Sequence, residues 1–441
     1  MAEGDLVPAA VAMIERLKDV LDIPSKEMDD ALLAGAYSSQ PAIRRVSTSV
    51  KLNLEKVREE FRNAESMRSH RTVSEFLEME ASHEPIFMDN SGKMMRCKIG
   101  TASINIAASD ISQNLPVELG TIKLEENDAG NAEQDDYVQK RDLLVRDVPS
   151  ARLIGNPNKK TYVASSVERR DGKCIINGSL TDYLSILKSH YALQHELLSV
   201  SYELQQKGTL SIKTLKDCLP KRRAFFAQPT AERQKFRGLG IATLVVFNTV
   251  NEGYKVMIRK RGRHLAMEPN LVHVIPSCSF QPEVSDVFEW DIEHCVIKEY
   301  TEELFGKNLD NPRLETRDYI YRHEEARSLR DALRSGQCEL LTSGLVVQLM
   351  QLCPVICCVL LIHDPDWFET WKISPNWEFL SKAELLHGGD SNHKIATELH
   401  LDNIENEFFP RTAAEIWATW VHEGLAAFWI GVDAARARLG R

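Results

Sequence analysis

Residues 238–261 read GLGIATLVVFNTVNEGYKVMIRKR, and this stretch organises the C-terminal half of the chain. Its first part, 241–248, is apolar and rich in β-branched residues, which is typical of a buried strand. Residues 251–253 supply turn chemistry, and 254–261 alternate between apolar and polar side chains. The pattern predicts a β-hairpin near the start of a folded region that we place at 236–441.

Shorter apolar and amphipathic stretches follow the hairpin. They predict a strand over 271–276, a helix over 291–305 and a helix near 344–352 that leads into a buried strand over 355–362. Helices around 413–420 and 424–437 are expected to close the chain. The run 345–362 approaches the length of a membrane span, but two glutamines and a proline interrupt it, so we expect no span there.

The chain before the hairpin has a mixed pattern. Residues 1–80 show helical spacing of apolar side chains and form, by this reading, a helical N-terminal region. Residues 81–235 are predicted to be a mixed α/β middle region, with strands at 162–167 and 174–176 and a helix over 181–206. Within it, the acidic segment 125–136 has no basic residue, which is typical of a solvated loop.

Composition limits the classes of function and location. The 441 residues carry a formal net charge of −10, which argues against a protein that coats nucleic acid or an anionic membrane. The nine cysteines are odd in number and include no CxxC, which suits a reducing compartment better than a disulfide framework. Cys353, Cys357 and Cys358 lie in an apolar run, which favours buried core thiols over a metal site. Since residues 1–24 lack the pattern of a secretory signal, we expect a soluble cytoplasmic protein.

The strongest chemical signal is the segment 298–306, which reads KEYTEELFG. On a helix, Glu299, Glu302 and Glu303 stand at positions i, i+3 and i+4 and therefore share one face. Carboxylates this close repel, and Mg²⁺ is a natural counter-charge because it takes hard oxygen ligands and shares them with phosphates. The alternative from the residues alone is a solvated acidic face balanced by Lys298 and Lys307.

This segment resembles the box of the Nudix hydrolases, G-x5-E-x7-R-E-U-x-E-E-x-G-U, in which U is aliphatic. KEYTEE is similar to REUxEE, with Lys298 in place of Arg and Tyr300 in place of U. The stretches GLGIATLVVFN, VMIRKR and HVIPSCSF resemble the flanking strands and the entrance of the box. The loop 281–289 is longer than the box allows, and the expected upstream glutamate is out of register, with Glu289 and Asp291 on either side of Trp290.

The resemblance implies an α+β fold, in which an α/β/α sandwich with a mixed sheet follows the helical N-terminal region and the mixed middle region. It implies that Glu302 and Glu303 hold Mg²⁺, or alternatively Mn²⁺, with Glu299 as a further ligand or as part of the water-activating set. Lys298 would orient one of these carboxylates. Arg259 and Arg261 are candidate phosphate contacts at the end of the hairpin.

Two functions follow from the resemblance. The first is the Mg²⁺-dependent hydrolysis of a nucleoside diphosphate linked to another moiety, by a Nudix-type pyrophosphohydrolase. The second is a catalytically weak nucleotide-sensing or transcription-regulatory protein, in which the Nudix-like domain binds its ligand without turnover. In both cases the expected partner is a nucleotide-like small molecule.

The N-terminal region carries a second, looser resemblance. Residues 14–46 are similar to a degenerate repressor-type helix-turn-helix, and Arg44, Arg45 and Lys51 could then contact DNA phosphates. An ordinary small helical bundle is the alternative, because the segment lacks a strong basic face. DNA is thus a weaker candidate partner than a nucleotide, and the oligomeric state is not predicted.

Overall fold

The computed structural model describes residues 56, 59–83, 92–99, 102–109, 116–126, 160–186, 192–228, 237–261, 271–283, 287–307, 309, 317–374, 397–404 and 419–441. Several sequence predictions lie outside these residues. They are the helix-turn-helix with Arg44, Arg45 and Lys51, the acidic segment after residue 126, and nearly all of the helix at 413–420.

Strands and helices follow one another in runs along the described chain. The strands are β1 (Gly92–Ile99), β2 (Ala102–Ser109), β3 (Val117–Glu126), β4 (Lys160–Arg170), β5 (Lys173–Asp182), β6 (Arg237–Gly238), β7 (Gly240–Thr249), β8 (Gly253–Lys260), β9 (Val272–Val274), β10 (Ser277–Ser279), β11 (Cys338–Gln348), β12 (Cys353–Ile362) and β13 (Thr397–His400). The α-helices are α1 (Arg71–His83), α2 (Tyr183–Ile186), α3 (Ala192–Gln206), α4 (Ile212–Cys218), α5 (Pro220–Ala227), α6 (Ile292–Phe305), α7 (Glu324–Ser335), α8 (Trp367–Thr370) and α9 (His422–Arg438).

A mixed sheet forms the centre of the described chain. Nine of the described strands belong to it, in the order β1-β2-β11-β12-β7-β8-β13, with β10 paired to β7 and β9 paired to β8. The predicted hairpin is confirmed: β7 and β8 pair antiparallel, and Gly253 takes the positive φ of 70° that its turn requires. Strand β12 lies parallel to β7 on the other side. Strand β11 pairs antiparallel with β12, and β10 pairs antiparallel with β7, so the sheet contains both parallel and antiparallel pairs.

Helices cover both faces of this sheet. Along β7 the side chains alternate: Leu244 and Val246 belong to the cluster that contains Phe428 of α9, whereas Val245 belongs to the cluster that contains Ile297 of α6. All five side chains are essentially fully buried. The described chain therefore has the predicted α+β class, with apolar layers on either side of a mixed sheet.

The prediction of a helix near 344–352 is wrong. Those residues lie in β11 and in the turn that joins it to β12, where Leu352 has a φ of 60°. Pairing with β12 along the length of β11 satisfies its backbone and outweighs the local helical pattern. The run 345–362 is thus a strand, a turn and a second strand. None of the described helices is long and apolar enough to cross a bilayer.

A second sheet involves the middle of the chain. Its described strands run in the order β3-β5-β4-β6, and they contain the strands predicted at 162–167 and 174–176. The helix predicted over 181–206 starts too early, because Thr181 and Asp182 end β5 and the long helix α3 begins at Ala192. Both sheets take strands from either side of residue 235: β1 and β2 join the mixed sheet, and β6 joins the second one.

An aromatic cluster connects the second sheet to the segment before α6. The indole of Trp290 stacks on Phe280 at 5.2 Å and meets Tyr162 edge-on at 5.0 Å between ring centroids. Its Nε1 donates a hydrogen bond of 3.1 Å to the carbonyl oxygen of Gly120. A buried indole with its N–H satisfied is a strong packing anchor. The start of α6 is thereby fixed against β3 and β4.

Candidate functional site

Helix α6 carries the predicted site and has well-defined ends. Asp291 caps its start, with Oδ1 accepting a hydrogen bond of 3.2 Å from the backbone N–H of His294. Gly306 ends it in the left-handed conformation at φ 63°. Ile297, Tyr300 and Leu304 bury one side of the helix in the core. This orientation brings the charged residues of 298–303 toward β10 and the loop that follows it.

Lys298 is buried, with a residue exposure of 4%. Its Nζ lies 2.7 Å from a carboxylate oxygen of Glu283 and 3.4 Å from one of Glu299. Burial by itself lowers the pKa of Lys298, but the attraction of Glu283, Glu299 and Glu302 outweighs it and holds the pKa well above its ordinary value. The ammonium is thus charged, and buried carboxylates offset its charge inside the protein. Lys298 therefore does not serve as a counter-charge to a solvent-exposed acidic face.

The other two predicted glutamates accept hydrogen bonds from the backbone. Glu303 is 3% exposed, and its carboxylate oxygens lie 3.2 and 3.3 Å from the backbone nitrogen of Ser277. Glu302 accepts a hydrogen bond of 3.3 Å from the N–H of Leu309. The interpretation of the segment as a solvated acidic face is therefore wrong for Glu303 and for Lys298. Each carboxylate is held by a different neighbour.

Glu283 is the site residue that the sequence analysis missed. Glu289 and Asp291, which stand next to the position expected for the upstream glutamate, have other partners. In the structure Asp291 caps α6, and Glu289 lies 3.4 Å from Nε2 of His294, with both side chains buried. The available signal was the long loop at 281–289, because extra residues there move the acidic partner of Lys298 further upstream.

Two cysteines adjoin Glu299 at the junction of β10 and α6. The Sγ atoms of Cys278 and Cys295 are 3.7 Å apart. A ligand atom from each cysteine and one from the Glu299 carboxylate all lie within 4.8 Å of one another. A hydrogen bond with Cys295, followed by burial, raises the pKa of the Cys278 thiol well above its ordinary value. Within the described part of the chain, no other set of three potential metal ligands comes together in this way.

The predicted magnesium set consists of Glu299, Glu302 and Glu303, which lie within about one turn of α6. Their carboxylate oxygens do not come together as a group of three within the described structure. Magnesium does not require such convergence, because it is commonly held by one or two carboxylates together with water and substrate phosphates. The binding of Mg²⁺ by these glutamates stays a prediction.

The predicted phosphate contacts lie in the β8–β9 pair. Arg259 is 5% exposed and stands opposite His273 in the strand register. Arg261 follows β8, and its backbone N–H donates a hydrogen bond of 2.8 Å to the carbonyl oxygen of Leu271. Burial, and then the charge of Arg261, lower the pKa of His273 to about 3. The contact of either arginine with a phosphate stays a prediction.

A second polar cluster lies at the end of β12, beside a turn over 364–367. Both ring nitrogens of His363 have a polar neighbour, and the tautomer decides which of them donates. Its Nδ1 is 2.6 Å from the Tyr254 hydroxyl and its Nε2 is 3.0 Å from Glu339. Arg438 at the end of α9 donates a hydrogen bond of 2.7 Å to the same carboxylate. This bond is the main reason that the pKa of Glu339 lies below its ordinary value. The cluster joins β8, β11 and β12 to the last helix.

No protein-family model and no curated protein matches the chain.

Proposed function

We propose that residues 236–441 form a Nudix-like domain that hydrolyses, with Mg²⁺, a nucleoside diphosphate linked to another moiety. The observation that carries the proposal is the buried Lys298, which bonds Glu283 at 2.7 Å and Glu299 at 3.4 Å on the helix that bears the glutamates. The family box has one glutamate ahead of its basic residue. Glu283 lies ahead of Lys298 and pairs with it, so it can supply that glutamate from the longer loop at 281–289.

The remaining support comes from how the chain holds its carboxylates. Lys298 lies against Glu299 and restricts where its carboxylate can point. The backbone N–H of Ser277 does the same for Glu303. Glu302 and Glu303, with Glu299, would hold Mg²⁺. When bound, this ion neutralises charge on the diphosphate and lowers the pKa of an attacking water.

A second candidate function is supported by the burial of Glu303. Glu303 is 3% exposed, and its carboxylate already accepts a hydrogen bond from the backbone N–H of Ser277. Glu302 likewise accepts a hydrogen bond from the N–H of Leu309. Both carboxylates would have to give up part of these bonds to bind a metal fully. A domain that binds a nucleotide without turning it over, as a sensor or regulator, needs no such complete metal set.

The test is an assay of hydrolysis by the purified full chain. Dinucleotides, nucleotide sugars and nucleoside triphosphates would be incubated with and without Mg²⁺, and the release of phosphorylated products measured by chromatography. Glu302→Gln and Glu303→Gln are the test variants. Glu293→Gln is the matched control, because Glu293 is an exposed carboxylate in the first turn of the same helix.

Three outcomes separate the candidates. Mg²⁺-dependent turnover that is lost in Glu302→Gln and Glu303→Gln but kept in Glu293→Gln supports the hydrolase. Metal-dependent nucleotide binding without turnover, lost in Glu303→Gln, supports the sensor and rejects the hydrolase. If neither test variant changes binding or turnover, the metal assignment is wrong for both functions.

A further inference from the structure

We propose that Cys278, Cys295 and Glu299 form a binding site for a thiophilic divalent metal ion, with Zn²⁺ as the expected occupant. This site is distinct from the proposed magnesium set, with which it shares only Glu299. The two sulfur atoms and a carboxylate oxygen lie within 4.8 Å of one another. Such a spacing allows a single ion to contact all three.

The distance between the sulfurs matches the geometry of zinc. A tetrahedral zinc ion with bonds of about 2.3 Å to two thiolates places the sulfurs about 3.8 Å apart. The Sγ atoms of Cys278 and Cys295 are 3.7 Å apart. A disulfide would instead require them to approach to about 2.05 Å. The separation of the two sulfurs is therefore close to that in a zinc dithiolate site.

The ligands stand on elements that fix their positions. Cys278 is the central residue of β10, which pairs with β7, and Cys295 and Glu299 are one helical turn apart on α6. Cys295 is buried, whereas Cys278 and Glu299 are partly exposed, so the site borders both the core and the surface.

The local charges also suit a divalent ion. Binding of the ion would displace the protons of both thiols, and the resulting two thiolates and one carboxylate carry a charge of −3, which a divalent ion reduces to −1. Lys298 lies 3.4 Å from Glu299 and offsets part of the remaining charge, although it also pairs with Glu283 at 2.7 Å. The position of Lys298 beside a carboxylate ligand is comparable to the outer partners that orient ligands in known metal sites.

The chemistry of the ligands selects the class of metal. Thiolates favour zinc and other soft or borderline ions, whereas Mg²⁺ prefers oxygen ligands throughout. Three protein ligands leave the fourth tetrahedral position for water or for an oxygen of a bound molecule. The site therefore resembles the open zinc sites that bind a substrate oxygen, more than the closed sites that only support a fold.

The experiment uses the full chain, freed of metal with a chelator and then titrated with Co²⁺ as a spectroscopic substitute for zinc. We expect thiolate-to-cobalt charge-transfer absorption in the near ultraviolet that saturates at one ion per chain and is displaced by Zn²⁺. Cys278→Ser and Cys295→Ser should remove this absorption and weaken zinc binding by about a hundredfold or more. Cys218→Ser is the matched control, because Cys218 is an exposed free cysteine in α4.

Absence of the charge-transfer absorption in the unmodified, reduced protein overturns the proposal, and this result does not depend on whether any variant folds. Absorption that persists in Cys278→Ser or Cys295→Ser variants with an intact far-ultraviolet circular dichroism spectrum also overturns it. Glu299→Gln gives an independent check, because it keeps both thiolates and should retain the absorption while binding zinc more weakly. Equal zinc affinity in Glu299→Gln would remove the carboxylate from the site.

The same samples separate this inference from the proposed hydrolase. Glu302→Gln, which should lack hydrolysis, is expected to keep the cobalt absorption. Cobalt absorption without any Mg²⁺-dependent turnover retains the thiolate site and rejects the hydrolase. Turnover without cobalt absorption supports the hydrolase and rejects the thiolate site.

Discussion

Replacing Lys298 by Met tests whether the buried charge cluster on α6 is a cooperative unit. Methionine has nearly the length and volume of lysine, so the change removes the charge and opens little space. Lys298 and Glu283 have side-chain exposures of 5% and 10%, and their charged atoms are 2.7 Å apart. Without the ammonium, Glu283 and Glu299 lose the cation that lies between them.

The expected cost follows from this burial. Removing one partner of a buried ion pair typically destabilises a protein by about 3–5 kcal/mol, because the other charge stays buried without compensation. Lys307→Met is the matched control on the same part of the chain. Its ion pair with Glu325 has a similar distance, 2.9 Å, but the lysine side chain is 38% exposed. Partly exposed pairs of this kind contribute about 0–1 kcal/mol.

The assay is denaturant-induced unfolding of the full chain in the absence of added metal, followed by circular dichroism and by tryptophan fluorescence. We expect Lys298→Met to lower the free energy of unfolding by about 3 kcal/mol more than Lys307→Met, which is about two powers of ten in the folding equilibrium. The double variant Glu283→Gln, Lys298→Met should recover part of the loss, since it removes both charges.

Equal destabilisation by Lys298→Met and Lys307→Met would refute this reasoning. It would mean that Lys298 is hydrated in solution and does not neutralise the glutamates inside the protein. A double variant that is less stable than Lys298→Met would contradict the assignment of Glu283 as its partner.

Three further predictions concern packing, hydrogen bonding and pH. Gly178→Ala should destabilise the protein by about 1–3 kcal/mol, because the new Cβ would lie 2.6 Å from the ring of Trp290. The smaller ring in Trp290→Phe should relieve this clash, and thermal unfolding of the single and double variants measures the difference in stability. Tyr300→Phe should cost about 1–3 kcal/mol, because the buried Nε1 of Trp367 loses its acceptor at 2.8 Å; unchanged stability in chemical denaturation would contradict this. Glu339 has a pKa below its ordinary 4.5, so its stabilising contribution is present above pH 4.5 and is lost as the pH falls through the lowered pKa. The melting temperature of Glu339→Gln should therefore lie below that of the unmodified protein at neutral pH, and the difference between the two melting temperatures should vanish in acid.

Tyr319 offers a matched control for the Tyr300 prediction. Its side chain is 2% exposed, and its hydroxyl has no hydrogen-bond partner within the described residues. Tyr319→Phe removes a buried hydroxyl without taking an acceptor from another group. We expect it to be neutral or slightly stabilising, in contrast to Tyr300→Phe.

Local pattern was sufficient to predict several elements. The alternation in 254–261, the turn at Gly253 and the apolar run at 241–248 correspond to the hairpin β7–β8. The helix predicted over 291–305 matches α6 nearly to the residue, because an aspartate cap and a terminal glycine define its ends. In these segments the local preference and the tertiary environment agree.

The pattern failed where distant strands supply the partner. Residues 344–348 were predicted as helix, but β12 pairs with β11 from Cys338 to Gln348, and β2 pairs with it on the other side. A short apolar run that is buried on both faces has no period by which to tell a strand from a helix. Hydrogen bonds to two neighbouring strands decided the matter, and they are not visible in the local sequence.

The candidate site also combines features that the sequence predicted with features that only the tertiary structure reveals. The sequence by itself determined that Glu299, Glu302 and Glu303 share a helical face next to Lys298, since the helical period places them there. Only the tertiary structure decided which groups surround that face: Glu283 as the partner of Lys298, the amide of Ser277 on Glu303, and the two thiols beside Glu299. The physical reason is that contacts within one helix depend on spacing alone, whereas contacts between β10, its loop and α6 depend on how the sheet and helix pack.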